Sequence, residues 1–127
     1  MRERGLSVVA SVFEANDYIG NLVKSFLDVI VLAMLNGEPT HGYKIIADLH
    51  RTFGVLLSPG TLYPLLYNLE AKKLVEVKEV KRKKLYRLTP MGRERVFKII
   101  RSYKKNSEKI FRFIDKNLET ETTVLAT

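Results

Sequence analysis

Four consecutive cations, Lys81, Arg82, Lys83 and Lys84, lie between two short segments that are rich in strand-forming residues. A short helix with one apolar face is predicted just before them, over residues 58–70. A helix fits the major groove of DNA, and clustered Lys and Arg side chains bind a phosphate backbone. This order of helix and cationic hairpin is typical of a winged helix and indicates a nucleic-acid partner.

The positive charge of the chain is concentrated towards its C-terminal half. Residues 72–116 hold 17 of the 22 Lys and Arg residues but 5 of the 14 Asp and Glu residues, a net charge of +12. Such asymmetry attracts polyanions, either nucleic acid or an acidic membrane surface. A basic run can also be a solvated face without a partner. Its position at a predicted hairpin tip, directly after a helix, favours binding.

The composition excludes several classes of site. There is no cysteine, which excludes disulfides and thiolate metal sites, and two isolated histidines do not make a zinc site. No glycine-rich phosphate loop, carboxylate pair or histidine dyad appears, so we expect no enzyme activity, no metal and no cofactor. Abundant lysine and glutamate without glutamine favour a thermophilic source.

The sequence shows neither a membrane-spanning segment nor an export signal. The longest apolar run, residues 26–35, contains Asp28 and is shorter than the segment that spans a bilayer. The chain does not begin with a cationic start, an apolar stretch and a small-residue cleavage site. We therefore expect a cytoplasmic protein.

Two helices are predicted before the candidate recognition helix. Apolar spacing predicts a core helix over residues 17–36, preceded by an N-terminal helical extension over residues 1–16. Thr40 is placed to cap a second helix, which ends at Gly54. The predicted core face of this second helix consists of Tyr43, Ile46, Leu49 and Phe53.

The third helix carries a clear start signal, Ser58 followed by Pro59. Pro64 lies beyond the first turn counted from that cap, where its ring clashes with the carbonyl of Gly60. The helix therefore either kinks at Pro64 or begins at Thr61. In both cases its core stripe consists of Leu62, Leu65, Leu66 and Leu69.

The predicted hairpin leads into a long last helix. Tyr86 is expected to pack the hairpin onto the helices, with Arg87 facing solvent or phosphate. Thr89 and Pro90 repeat the cap-then-proline signal and begin a helix over residues 90–118, before a tail over residues 119–127.

Apolar residues of this last helix recur at steps of four and three, the seam of a coiled coil. A helix of this length extends beyond what so small a domain covers, so we expect it to pair with another subunit. The alternative is that it folds back on the N-terminal helix of its own chain. The predicted dimer interface consists of Val96, Phe97, Ile100, Tyr103, Ser107, Ile110, Phe111, Ile114 and Leu118.

Polar and small residues off the leucine stripe, together with the cations, are the candidate DNA contacts. They are Ser58, Gly60, Thr61, Tyr63, Pro64, Tyr67, Asn68, Lys72, Lys81, Arg82, Lys83, Lys84 and Arg87. The helix has no arginine, so we expect modest specificity from shape, apolar contact and the hairpin, not bidentate recognition of guanine.

Several of these residues have a purely structural alternative. Tyr63 and Tyr67 also suit the edge of the core, and Gly60 and Pro64 also suit helix geometry alone. His41 either contacts phosphate or is a surface histidine without a role.

Three short motifs resemble the PadR family of winged-helix transcriptional regulators. They are His41-Gly42-Tyr43, the block from Ser58 to Pro64 with Leu66, Leu69 and Glu70, and Tyr86-Arg87-Leu88-Thr89 with Gly92 and Arg93. The fold class is then mainly α with a small β-hairpin, a winged helix-turn-helix over residues 17–89 and a long C-terminal dimerisation helix. This chain departs from the family in its single C-terminal helix and its added N-terminal segment.

The resemblance implies a homodimer, usually a repressor, whose third helix enters the major groove while the wing touches adjacent backbone or minor groove. The partner is then double-stranded DNA with an imperfect inverted repeat. Family members often respond to small molecules. Aromatic residues either line an effector cleft here or form core, namely Phe13, Phe26, Phe97, Tyr103 and Phe111. The alternative function is a winged-helix RNA-binding or protein-adaptor module without operator specificity.

Overall fold

The computed structural model describes residues 15–126, with side chains for residues 18–119. Its elements are α1 (Ala15–Ser25), α2 (Leu27–Met34), α3 (Gly42–Phe53), α4 (Pro59–Ala71), β1 (Val75–Val80), β2 (Lys83–Leu88) and α5 (Pro90–Ala126). The strands form one antiparallel hairpin. The predicted mainly helical fold class is confirmed. Most of the predicted N-terminal extension, residues 1–14 with Phe13, lies outside the described residues.

The predicted helix over residues 17–36 is two helices with a break at Phe26. The Phe26 backbone, at φ −106° and ψ 15°, leaves helical geometry, although its N–H still bonds to the Leu22 carbonyl at 3.0 Å. Just before the break, the Ser25 hydroxyl donates to the Asn21 carbonyl at 2.9 Å, a bond that bends helices. Apolar spacing does not report such a bond, so the break was missed.

His41, and not Thr40 as predicted, caps α3. The Nδ1 atom of His41 accepts a hydrogen bond from the Lys44 amide at 3.2 Å. The Thr40 backbone instead exchanges two hydrogen bonds with Tyr86 of β2, at 2.9 and 2.8 Å. This isolated bridge holds the hairpin against the start of α3.

The predicted core face of α3 is also wrong in part. Gly42, Ile45 and Leu49 are buried, whereas the Tyr43 side chain is 67% exposed. The core stripe is thus rotated away from Tyr43. Tyr43 is therefore available as a contact residue.

The start of α4 follows the sequence signal. The Ser58 hydroxyl accepts a hydrogen bond from the Thr61 amide at 3.2 Å, and the helix begins at Pro59 with Pro64 inside it. Leu62, Leu66 and Leu69 are buried and Leu65 is partly buried, as the predicted stripe requires.

A Schellman motif ends α4. The Lys73 amide bonds to the Glu70 carbonyl at 2.8 Å and the Leu74 amide to the Leu69 carbonyl at 3.0 Å, while Lys73 takes a left-handed φ of 63°. Leu69 and Leu74 are both buried. This turn sends the chain directly into β1.

The last helix, α5, is longer than predicted and begins inside the core. It continues to Ala126 instead of ending near Leu118, because no proline or glycine follows that residue. The sequence placed Val96 in a subunit seam, but Val96 is 5% exposed within the core of its own chain. Ile100 also packs partly against that core.

The start of α5 therefore packs against its own chain, which was the alternative to pairing with another subunit. It packs against α2, and the Tyr103 ring meets Phe26 edge to face at 5.1 Å between centroids. Between Ser107 and Glu119 the large apolar side chains of α5 are exposed, namely Ile110, Phe111, Phe113, Ile114 and Leu118.

A three-way junction at Thr89 joins α4, the hairpin and α5. The Thr89 hydroxyl donates to the Lys73 carbonyl at 2.7 Å and accepts from the Gly92 amide at 2.9 Å. The Thr89 amide donates to the Leu74 carbonyl at 3.0 Å. A Cβ on Gly92 would lie 2.0 Å from that same carbonyl oxygen, so only glycine fits.

Gly92→Ala should therefore destabilise the protein. The added methyl meets backbone that cannot rotate away, and we expect the free energy of unfolding to fall by about 2 kcal/mol or more. Urea denaturation measures this. The matched control is Gly20→Ala within α1, where a Cβ meets nothing within 4 Å. This substitution should raise the free energy of unfolding by about 0.5–1 kcal/mol, because alanine favours a helix more than glycine does. Equal stability of the Gly92 variant and the parent would contradict the junction.

Candidate nucleic-acid interface

The start of α3, the middle of α4 and the hairpin converge on one surface cleft. Its volume is about 490 Å³. Three cations and two aromatic rings line it, and no acidic residue does. The lining residues are His41, Gly42, Tyr43, Tyr63, Arg82, Lys83 and Lys84.

Two tyrosines form the aromatic wall of this cleft. The rings of Tyr43 and Tyr63 meet edge to face, with centroids 6.5 Å apart. Tyr63 lies across Gly42, where a Cβ would come within 2.6 Å of the Tyr63 hydroxyl oxygen. Tyr63 is partly buried against the core, so it has the structural role considered as its alternative.

Sequence reasoning assigned Tyr43 to the core and so missed it as a site residue. Tyr43 directly follows Gly42, and the Tyr63 ring needs the space left by the missing Cβ of that glycine. This glycine was the sequence signal available for Tyr43. The exposed Tyr43 ring and the cations of the hairpin now face the same cleft.

The outer face of α4 carries the predicted polar residues. Thr61, Pro64, Asn68 and Lys72 are exposed on it, as are Ser58 and Gly60 at its start. Tyr67 is 70% exposed, so it does not shield the core. The Ser58 and Thr61 hydroxyls lie 3.1 Å apart, which uses both in the capping arrangement. The face opposite the leucine stripe is therefore free, polar and without arginine.

The hairpin turn is tighter than predicted. Lys81 and Arg82 alone form it, with φ of 50° and 66°, which matches the two-residue type I′ geometry. Lys83 and Lys84 already belong to β2, where they pair with Val80 and Glu79. All four cations remain exposed.

Arg87 is not the free cation that the sequence indicated. Its Nε atom donates to the Glu76 Oε1 atom at 2.9 Å across the hairpin. Both side chains are about half exposed, so the pair adds little stability. A phosphate contact by Arg87 would have to compete with Glu76.

Tyr86 fixes the hairpin to the helices, as predicted. It is buried, and burial raises the pKa of its phenol, with the nearby Tyr63 and Glu70 adding to the shift. The neutral ring thus lies between β2 and the cleft side of α4.

Of the aromatic residues proposed for an effector cleft, the four that the structure describes do not converge on one cavity. Phe26 and Tyr103 contact each other, Phe97 lies beneath the Arg93 guanidinium at 5.5 Å, and Phe111 is exposed. Their arrangement favours packing.

The described residues contain neither a candidate metal site nor a membrane-spanning helix. Between residues 18 and 119, no group of three or more His, Asp or Glu side chains could hold a metal ion. In the same part of the chain, no helix has the length and hydropathy needed to cross a bilayer.

A helix with a free polar face beside a two-stranded cationic hairpin defines a winged-helix protein. The model of the transcriptional regulator PadR-like family matches residues 31–98, more than half of the chain. The chain therefore belongs to the PadR-like family of transcriptional regulators. Membership also confirms that it is not an enzyme.

Solved structures show the same fold. The chain is 28% identical to a PadR-like transcription factor from Bacteroides fragilis, with a TM-score of 0.61, covering 73% of this chain and 94% of that one. A PadR family regulator from Eggerthella lenta superposes with a TM-score of 0.70 at 23% identity, covering 88% and 96%.

Curated relatives match over a shorter region. The transcriptional activator GvpE1 of Halobacterium salinarum is 36% identical over 63 residues, 49% of this chain and 33% of that protein. The chain spans at most a third of the length of the curated relatives it matches.

Replacing the two turn residues should test the backbone geometry of the hairpin turn. Lys81→Asn with Arg82→Gly suits a type I′ turn and relieves two left-handed non-glycine residues. We expect the free energy of unfolding to rise by about 1 kcal/mol in urea denaturation. Asn at position 81 with Arg82 retained is the control, and we expect a smaller gain. A lower unfolding midpoint in the double variant would contradict the turn assignment.

Proposed function

We propose that this chain is a DNA-binding transcriptional regulator in which α4 enters the major groove and the hairpin contacts the adjacent phosphate backbone. The cleft carries this proposal, because Arg82, Lys83 and Lys84 converge there beside α4 with no acidic residue in its lining. Cations without acidic neighbours concentrate a polyanion at the helix. The double-stranded form fits best because a helix fills the major groove of B-DNA.

The exposed face of α4 supplies limited base recognition. Thr61 and Asn68 offer hydrogen-bonding groups, and Tyr67 offers a hydroxyl and an apolar ring face. Bidentate guanine contacts need an arginine or lysine, and the exposed face offers only Lys72, beyond the helix end. We therefore propose that DNA shape and deformability provide much of the discrimination.

The start of α3 is proposed as a second backbone contact. Because His41 Nδ1 accepts the Lys44 amide, a neutral His41 ring carries its proton on Nε2, which can donate to phosphate. The exposed Tyr43 hydroxyl lies on the same cleft. Both residues would position the duplex against α4 without reading its sequence.

A homodimer is proposed through the distal half of α5. Ile110, Phe111, Ile114 and Leu118 are exposed there, at 41–62% of their surface, and a contiguous apolar face of this kind marks an interface. Ser107 continues the seam, and Tyr103 is 38% exposed at its proximal end. A two-fold dimer would present two α4 helices to an imperfect inverted repeat.

We propose repression because the family resemblance implies it. The bound protein would repress by occupying the stretch of DNA that it binds. The halobacterial relative is named an activator, so the position of the bound site relative to a promoter would set the direction. A small-molecule effector has no support from the packing of the aromatic residues. A cytoplasmic location stays a prediction.

The salt dependence of DNA binding tests the role of the hairpin. We expect replacement of all four residues Lys81–Lys84 by alanine to flatten the slope of log affinity against log salt by up to about 3.6, at about 0.9 per lost phosphate contact. Fluorescence anisotropy with a labelled duplex at several salt concentrations measures the slope.

The control is the double variant Lys24→Ala with Lys104→Ala, which removes exposed charge outside both the hairpin and the cleft lining. Its slope should change much less. An unchanged slope in the hairpin variant would remove the hairpin from the interface. Competition by single-stranded RNA as effective as that by duplex DNA would favour the RNA-binding alternative.

Charge placed in the exposed seam should abolish the dimer. Ile110→Glu buries a carboxylate at the proposed interface, so we expect the dimer Kd to rise at least about 100-fold. Ser102→Glu adds the same charge to α5 outside the seam, about 80° around the helix from Ile110 and about 140° from Ser107, and should leave the dimer intact. Sedimentation velocity at micromolar concentration gives both masses. A parent protein that is strictly monomeric would overturn the dimer and the inverted repeat together.

A further inference from the structure

A second cationic surface lies on α5, away from the cleft. Lys98, Arg101, Lys105 and Lys109 are spaced by three, four and four residues, which places them in one row along the helix. Together with Ser102 and Asn106 they line a shallow depression of about 370 Å³. None of these residues lines the cleft between α3, α4 and the hairpin. We call this surface the α5 basic row.

Helical geometry places the row opposite the proposed dimer seam. At 100° per residue, Arg101, Lys105 and Lys109 point about 120–180° away from Tyr103, Ser107 and Ile114. Pairing of two copies through the seam would therefore leave the row on the outside.

The cations of the row are not neutralised by the protein. Within residues 18–119, Arg101, Lys105 and Lys109 have no acidic partner, and Lys98 reaches Glu94 only at 3.7 Å between two exposed side chains. Like charges four residues apart destabilise a helix by about 0.2–0.5 kcal/mol per pair. The row therefore weakens the free helix, and a polyanion would relieve the repulsion.

We propose that the α5 basic row binds the phosphate backbone of double-stranded DNA as a contact surface independent of α4 and the hairpin. This inference rests on the proposed function, because the duplex DNA that the cleft binds would then also lie close to the row. Lys, Arg, Ser and Asn are the side chains that donate to phosphate oxygens, and they are the only residues lining the depression. From Lys98 to Lys109 the row extends about 16 Å, alongside about ten phosphates of a duplex.

The chemistry of the row favours DNA over two other polyanionic partners. A protein interface needs apolar or aromatic anchors at its centre, and the depression contains none. A helix that lies on a membrane inserts its apolar face while its cations flank that face. Here the residues that line the depression are all cationic or polar, so the row itself offers no apolar face for insertion into a membrane.

The test compares two charge-matched double variants of the full chain. Arg101→Gln with Lys105→Gln removes two charges from the row, and Arg95→Gln with Lys104→Gln removes two exposed charges from the same helix beside it. Random-sequence duplex DNA is the probe, since backbone contacts do not depend on sequence. We expect the row variant to flatten the salt slope by up to about 1.8 and the control variant by less than half as much. Glutamine is a good helix former, so both variants should keep the parent helix content.

A third variant, Lys83→Gln with Lys84→Gln, keeps this inference distinct from the proposed function. If the hairpin variant flattens the slope and the row variant matches its control, the row inference fails while the proposed function stands. If neither flattens the slope, both fail. Phosphatidylserine vesicles are the second probe: loss of vesicle binding in the row variant, with DNA binding unchanged, would also overturn the inference.

Discussion

The Thr89 hydroxyl donates to the Lys73 carbonyl and accepts from the Gly92 amide, so one side chain joins the end of α4, the base of the hairpin and the start of α5. Gly92 makes this possible because the Leu74 carbonyl occupies the space of its missing Cβ. The Schellman turn at Lys73 supplies those two carbonyls. A groove-facing helix and a backbone-binding hairpin act together only if their relative position is fixed, and the long helix that would carry a second copy begins from the same point.

In the proposed function, affinity and specificity come from different surfaces around this junction. The hairpin turn holds Lys81 and Arg82 in left-handed backbone geometry, which costs folding energy but places charge at a tight tip. The exposed face of α4 contributes hydroxyls, an amide and a tyrosine ring without an arginine. We expect a protein built in this way to bind duplex DNA strongly at low salt and to depend on DNA shape to choose among sequences.

The sequence predicted the order of the elements because caps and apolar periodicity are local. Ser58 and Thr89 were identified as caps from their neighbouring prolines, and Tyr86 as the residue that packs the hairpin. The errors arose where a distant contact decided the outcome. Thr40 pairs with Tyr86, 46 positions away, and so leaves the capping of α3 to His41. Val96 is buried because α2 packs on α5, which no heptad pattern reveals.

The candidate site was predictable in its cations and in the outer face of α4, since both follow from charge and helix period. The exposure of Tyr43 and the Arg87–Glu76 pair depend on tertiary geometry and were not predictable from the sequence.

The central claim is that paired α4 helices face a duplex through one fixed surface. Selection of bound duplexes from a random pool tests it most directly. We expect an imperfect inverted repeat with half-sites about 34 Å apart, or a multiple of that distance. Enrichment of a single unpaired half-site, or of no duplex at all, would contradict it.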